Sequence, residues 1–257
     1  MRAAADRLSM RTFLIAREFI DQVSNIRTRR ALEDALADAC ARIGLRYFAV
    51  SHHVDFSVHS TALRIHNYPG HWAEWYDEHR LGVSDPIHRA SQMIANGFTW
   101  DEVPRLIAMT ASDHALLERS RKMGFGNGVT VPAHVPGERR GSCTFVSAAG
   151  EQLPPDALIW AQTVGLFAFQ AARRIFSPRL NTRWPRISDR QRDCILLAGR
   201  GVRNAEIAVA LGIGQQTVLE HLREARARHG VRSRTELVVN LLASGSLCLD
   251  DLTRRDD

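Results

Sequence analysis

The chain has 257 residues, 45% of them apolar and 24% charged, with a formal net charge of +6. This is the composition of an ordinary globular protein, long enough for two small domains. No apolar run reaches the roughly 18 residues that a membrane-spanning helix needs. Charges at Arg11, Arg17 and Glu18 interrupt any secretory apolar segment, so a cytoplasmic protein is expected. The four cysteines, Cys40, Cys143, Cys194 and Cys248, are far apart and form no CxxC pair, which argues against a disulfide framework or a thiolate metal site.

In chain order, Thr12–Val23 and Ala31–Ile43 read as helices, the second from apolar positions Leu32, Leu36, Ala39 and Ile43. Tyr47–Val54 and Thr61–Ile65 read as strands, His71–Arg80 and Pro86–Ala95 as helices, and Asp113–Met123 as a helix closed by Gly124. Two further strands are expected at Gly128–Val135 and Ser142–Ala148, around a Pro-Gly turn, followed by a long helix over Pro155–Phe176. Helices before, between and after a set of strands predict an α-β-α sandwich with an antiparallel sheet over residues 1–176. Residues 177–186 hold two prolines among polar residues and read as a linker. Beyond them, 187–257 read as an all-α domain. The overall expectation is a two-domain α+β/α protein.

Charge is concentrated in the second part. From Arg179 to Arg234 stand 12 arginines against 5 acidic residues, a net +7, which leaves the rest of the chain near neutral. A block of this kind suits a polyanionic partner. Within it, Ser188 can cap a helix over Asp189–Ala198, with Gly201 at its exit. Asn204 is the expected cap of Ala205–Leu211, and Gly212-Ile213-Gly214 forms a tight turn into Gln215–His229. Val218, Leu222 and Ala225 face inward, Gly230 ends the helix, and Thr235–Ser244 is the last helix. Two short helices joined by a three-residue turn make a helix-turn-helix. Its outward face carries Gln215, Gln216, Leu219, Glu220, Arg223 and Arg226. Arginine can bind guanine and glutamine can bind adenine in a bidentate way. Arg203, Arg228, Arg232 and Arg234 flank that face as candidate phosphate contacts.

The stretch Asn204-Ala205-Glu206-Ile207-Ala208-Val209-Ala210-Leu211, with Thr217-Val218, His221 and Gly230-Val231-Arg232-Ser233-Arg234, resembles the LuxR-type DNA-binding domain across Ile187–Leu249. Gln191 stands where that family usually has Glu, Ile195 where it has Leu, and Gly214 where it has a capping Ser. Upstream, Asn67-Tyr68-Pro69-Gly70-His71-Trp72-Ala73-Glu74-Trp75-Tyr76, then Asp85-Pro86, Trp100 and Gly128-Val129-Thr130-Val131-Pro132, resemble the autoinducer-binding domain of LuxR-family quorum-sensing receptors across Phe13–Phe176.

The resemblance implies an N-acyl-homoserine lactone as ligand and no cofactor. By the family pattern, Trp72 donates to the lactone carbonyl, Asp85 accepts the amide N–H and Tyr68 donates to the amide carbonyl. Tyr76 and Trp100 wall the headgroup, and Thr144 serves the first polar substituent of the acyl chain. It implies a homodimer on a palindromic double-stranded DNA site, with RNA polymerase as a partner if the protein activates. Two other readings stay open: a regulator answering a different small molecule, and a protein that sequesters a partner regulator by heterodimerising.

Seven of the eleven histidines lie between His52 and His88, but no HxxxH or HExxH spacing favours a metal. The single lysine, Lys122, argues against a phospho-receiver domain. No GxSxG or P-loop motif is present, and no enzymatic activity is expected.

Overall fold

A computed structural model describes residues 2–135, 138–176 and 185–253, with side chains from residue 10 onward. Contacts divide the chain into two compact units, the first holding every strand and the second the C-terminal helices. Most of the expected linker, residues 177–184, lies outside the described residues, as do Pro136 and Gly137 of the expected turn.

The first unit runs α1 (Arg2–Val23), α2 (Arg29–Ile43), β1 (Tyr47–His52), β2 (Arg64–His66), α3 (Gly70–Glu78), α4 (Leu81–Ser84), α5 (Pro86–Ser91), β3 (Phe98–Thr99), a single 3-10 turn (Trp100–Glu102), α6 (Val103–Leu106), α7 (Ala111–Lys122), β4 (Phe125–Ala133), β5 (Gly141–Ala148) and α8 (Ala157–Phe176). The strands form one antiparallel sheet in the order β2-β1-β5-β4-β3. Alternation then assigns the faces. Phe48, Val50, Ile65, Cys143 and Phe145 are buried on one side, under α2 and α8. Small residues let α8 lie close: Ala161, Gly165, Ala168 and Ala172 are all buried, and a Cβ on Gly165 would sit 3.2 Å from Cys143 and Val131. Trp160 meets Phe145 edge-on at 4.9 Å.

The opposite face of the sheet carries α3 to α7. Two of these helices are tied by one carboxylate. Asp113 completes a capping box with Thr110 at the start of α7, and both its oxygens accept from Nη1 of Arg89 of α5, at 2.9 and 3.0 Å. Burial opposes the charge on Asp113, but the Thr110 and Arg89 hydrogen bonds outweigh it and hold the carboxyl below its usual range.

Several expectations are corrected in detail. The second strand is displaced to Arg64–His66, and the helix from Pro86 ends at Ser91 rather than Ala95. The two-residue strand β3, the 3-10 turn, α4 and α6 have no expected counterpart, because elements this short carry no measurable periodicity.

The second unit holds α9 (Asp189–Gly199), α10 (Asn204–Leu211), α11 (Gln215–His229), α12 (Arg234–Ala243) and α13 (Leu249–Thr253). Ile195, Ile207, Val218, Leu222, Leu237 and Leu241 form its core. Ser188 and Gln191 make a reciprocal cap at the start of α9. Asn204 is not the cap of α10. That position is Arg203, whose backbone N–H is taken by Glu206 at 2.9 Å, while the Asn204 side chain accepts from Arg234 at 3.0 Å. Gly212, at φ 62, turns the chain into α11.

Candidate functional site

Between the sheet and helices α3, α5 and α7 lies a cavity. Tyr68, Trp72, Tyr76, Asp85, Trp100 and Thr144 all line it. Each reaches the cavity for a local reason. Trp72 and Tyr76 are one helical turn apart on α3, and Asp85 sits at the N-cap of α5 before Pro86. Thr144 is on the cavity face of β5, opposite Ala49 and Thr130.

The polar atoms of this group divide into those already paired and those still open. Asp85 Oδ1 accepts from the Ile87 backbone N–H at 2.7 Å, and Oδ2 accepts from the Tyr76 hydroxyl at 2.8 Å. A carboxylate has about four acceptor sites, so Asp85 is held in place with capacity to spare. Trp100 donates its indole N–H to Thr130 Oγ1 at 3.1 Å, and Thr130 lies 3.0 Å from Thr144 Oγ1. Either hydroxyl can donate to the other, and Thr144 is the one of the pair that lines the cavity.

Trp72 and Tyr68 differ from Trp100. Trp72 is only 6% exposed, yet its indole N–H has no hydrogen-bond partner among the described residues, and neither has the Tyr68 hydroxyl. Burial, reinforced by the Asp85 charge, raises the Tyr68 and Tyr76 phenols well above their usual range and keeps both as donors. The cavity thus presents two open donors and one oriented acceptor within an aromatic wall.

Gly128 shapes that wall. A Cβ there would fall 2.5 Å from the Trp100 ring, so the indole packs directly on the backbone of β4 beside a register shift. The cavity is also lined by residues absent from the motif reading, among them Ser51, Phe56, Arg64, His66, His88 and Phe125. Strand alternation on β1 and β2 is the signal that carries Ser51, Arg64 and His66, once it is known which face is which. Among the described residues, no group of three or more His, Cys, Asp or Glu side chains could hold a metal ion, and no helix is long and apolar enough to cross a membrane.

In the second unit, Gln215, Gln216, Leu219 and Arg223 are exposed along α11, and Glu220 is half-buried beside them. Arg223 pairs with Glu220 at 2.6 Å, and Arg226 turns its Nε to the Leu222 carbonyl. Arg203 and Arg232 are exposed. Arg234 and Arg228 are engaged within the unit. Arg234 donates to the Val202 carbonyl and to Asn204, while Arg228 donates to the Arg186 carbonyl and to Gln191. Gln191, buried at this junction, also donates to Glu224 at 3.1 Å.

Comparison with known families matches residues 28–175 to the autoinducer binding domain, and residues 185–241 to the bacterial regulatory proteins of the luxR family. The chain belongs to the LuxR family of quorum-sensing regulators. It is 23% identical over 240 residues to the transcriptional activator protein AhyR of Aeromonas hydrophila, covering 90% of this chain and 91% of that one. It is 27% identical over 184 residues to the HTH-type quorum sensing-dependent transcriptional regulator RpaR of Rhodopseudomonas palustris, covering 71% and 74%. The fold matches the crystal structure of Escherichia coli SdiA with a TM-score of 0.64 at 19% identity, over 91% of this chain and 98% of that one. Its relatives are transcriptional regulators rather than enzymes, and this LuxR-family member carries an autoinducer-binding and a DNA-binding domain.

Proposed function

We propose that this LuxR-family protein binds an N-acyl-homoserine lactone in the cavity of its first unit and, as a homodimer, binds a palindromic DNA site through α11. The domain limits under this reading are 1–176 for the sensor, 177–186 for a linker and 187–257 for the DNA-binding domain. The observation that carries the ligand assignment is the open polar set of Trp72, Tyr68 and Asp85. A lactone carbonyl, an amide carbonyl and an amide N–H match it atom for atom, and a buried donor left unpaired is costly. Trp100 and Tyr76 hold the ring in place, and the Thr144 hydroxyl serves the first polar substituent of the acyl chain.

An exposed stripe on α8, with Ile159 at 73%, Leu166 at 47% and Phe167 at 43%, supports self-association of the sensor. The exposed Gln215, Gln216, Leu219 and Arg223 support α11 as the reading helix, with Glu220 and Arg226 framing it and Arg203 and Arg232 on phosphates. Arg228 and Arg234 hold the domain together as well as lending charge.

Selection of bound duplexes from a randomised DNA library, at low salt and with a panel of lactones, tests this reading. Enrichment of a two-fold symmetric site is expected. Failure to retain any duplex while the protein binds lactone would favour a protein that sequesters a partner regulator instead.

A further inference from the structure

The wall of the cavity formed by β1, β2 and the inner side of α5 is polar where a plain hydrocarbon tail would need it apolar. Ser51 faces Arg64 across the β1–β2 ladder, and the next cavity-facing pair is Ala49 with His66. His88 joins them from α5. The hydrogen bonds fix what each group offers. His66 Nδ1 accepts from the Tyr68 backbone N–H at 3.2 Å, so the neutral ring carries its proton on Nε2 and is a donor. Burial, joined by the Arg64 charge, pushes His66 down to about 4, which keeps it neutral near pH 7. His88 Nδ1 lies 2.8 Å from the Gly82 carbonyl, which can only accept. Neutral His88 therefore presents Nε2 as an acceptor, and its ring is stacked on His53 at 3.9 Å, within 13° of parallel. His53 is anchored in turn 2.9 Å from Ser142 Oγ. Ser51, 9% exposed, offers a hydroxyl that both donates and accepts.

Ser51 Oγ, His66 Nε2 and His88 Nε2 have no hydrogen-bond partner among the described residues. Packed against methylenes they would stay unpaired. A carboxylate on the tail does not fit, because the guanidinium that lines the cavity, Arg64, is bound to Asp77 at 2.5 Å and Asp85 already brings a negative charge. A neutral hydroxyl, donor and acceptor at once, does fit.

We propose that the acyl portion of the ligand bears a hydroxyl group beyond the amide, held by Ser51, His66 and His88. The assignment rests on the lactone reading above. Within it, Trp72, Tyr68 and Asp85 read the headgroup, and this second polar set reads the tail. A hydroxyl-free acyl group fills the same space and leaves the three atoms unpaired.

Calorimetric titration of the full chain with matched pairs of acyl-homoserine lactones tests this. Each pair differs only in a tail hydroxyl, on straight-chain and on phenyl frameworks of varied length. For at least one pair the hydroxylated member should bind about tenfold tighter, the size of one net hydrogen bond. Ser51→Ala should narrow that preference to about twofold. Hydroxyl-free members binding as tightly as their twins in every pair would overturn the proposal. The propyl amide of the preferred hydroxyacyl group separates the two readings. If it binds as tightly as the lactone, the headgroup assignment fails and the tail site stands. If no lactone binds, both fall.

Discussion

Asp85→Asn isolates the headgroup chemistry from the stability of the fold. Asp85 has two internal bonds, to the Ile87 N–H at 2.7 Å and from the Tyr76 hydroxyl at 2.8 Å, and in the proposed complex it accepts the ligand amide. Asparagine keeps one carbonyl oxygen for the helix cap, so the cap survives. The cost to the ligand-free fold should stay below about 1 kcal/mol, which moves Tm by no more than about 2–4 °C. The other oxygen becomes an NH2, and a donor then faces the amide N–H. Losing a charge-assisted bond costs about 1.5–3 kcal/mol, or about 10- to 150-fold in Kd. Tyr76→Phe removes only the bond that orients Asp85 and should cost less, about three- to tenfold. Titration of the purified variants with one lactone, beside melting without ligand, reads both quantities. Asp85→Asn protein with the wild-type melting point and wild-type affinity would refute the assignment.

The two cavity tryptophans should respond differently. Trp72→Phe removes a donor with no protein partner, so it should weaken lactone binding by about tenfold with little change in the ligand-free Tm. Trp100→Phe breaks the bond to Thr130 and should lower that Tm as well, which differential scanning fluorimetry would show. Gly128→Ala places a Cβ 2.5 Å from the Trp100 ring; overpacking of this kind costs about 1–3 kcal/mol and should alter the near-UV circular dichroism. On the DNA side, Arg223→Ala should relax base preference in a selection experiment. Arg234→Ala should lower the unfolding free energy of the protein by about 1–2 kcal/mol, because it loses its bonds to Val202 and Asn204, whereas Arg232→Ala should weaken all sequences alike and flatten the salt dependence.

The parts of the molecule legible in the sequence were those with long periods or dense motifs. The runs that form β1, β4 and β5 and the spacing in α2, α8 and α11 each state their structure over many residues. That Tyr68, Trp72, Tyr76 and Asp85 share a region was legible because they fall at fixed spacings around α3 and the start of α5, and all four line one cavity. Other features depend on relations that a linear pattern does not hold. Ser51, His66 and His88 line the same cavity only because the β1–β2 register places alternate residues on its face and α5 brings His88 to it. The short β3 exists through its pairing of Phe98 with Thr130, not through local propensity. Arg228 and Arg234 look free in the sequence, and their engagement depends on carbonyls that tertiary packing brings near them.

The most direct test is the melting temperature of the full chain against a panel of acyl-homoserine lactones, hydroxylated and plain, each beside its ring-opened form. At a concentration about 100 times Kd, a ligand that binds only the folded state adds about 2.7 kcal/mol, or roughly 5–10 °C for a chain of this size. Such a rise is expected with at least one lactone, about halved in Trp72→Phe and absent with the opened ring. No shift from any lactone, with a protein that melts cooperatively on its own, would contradict the lactone assignment.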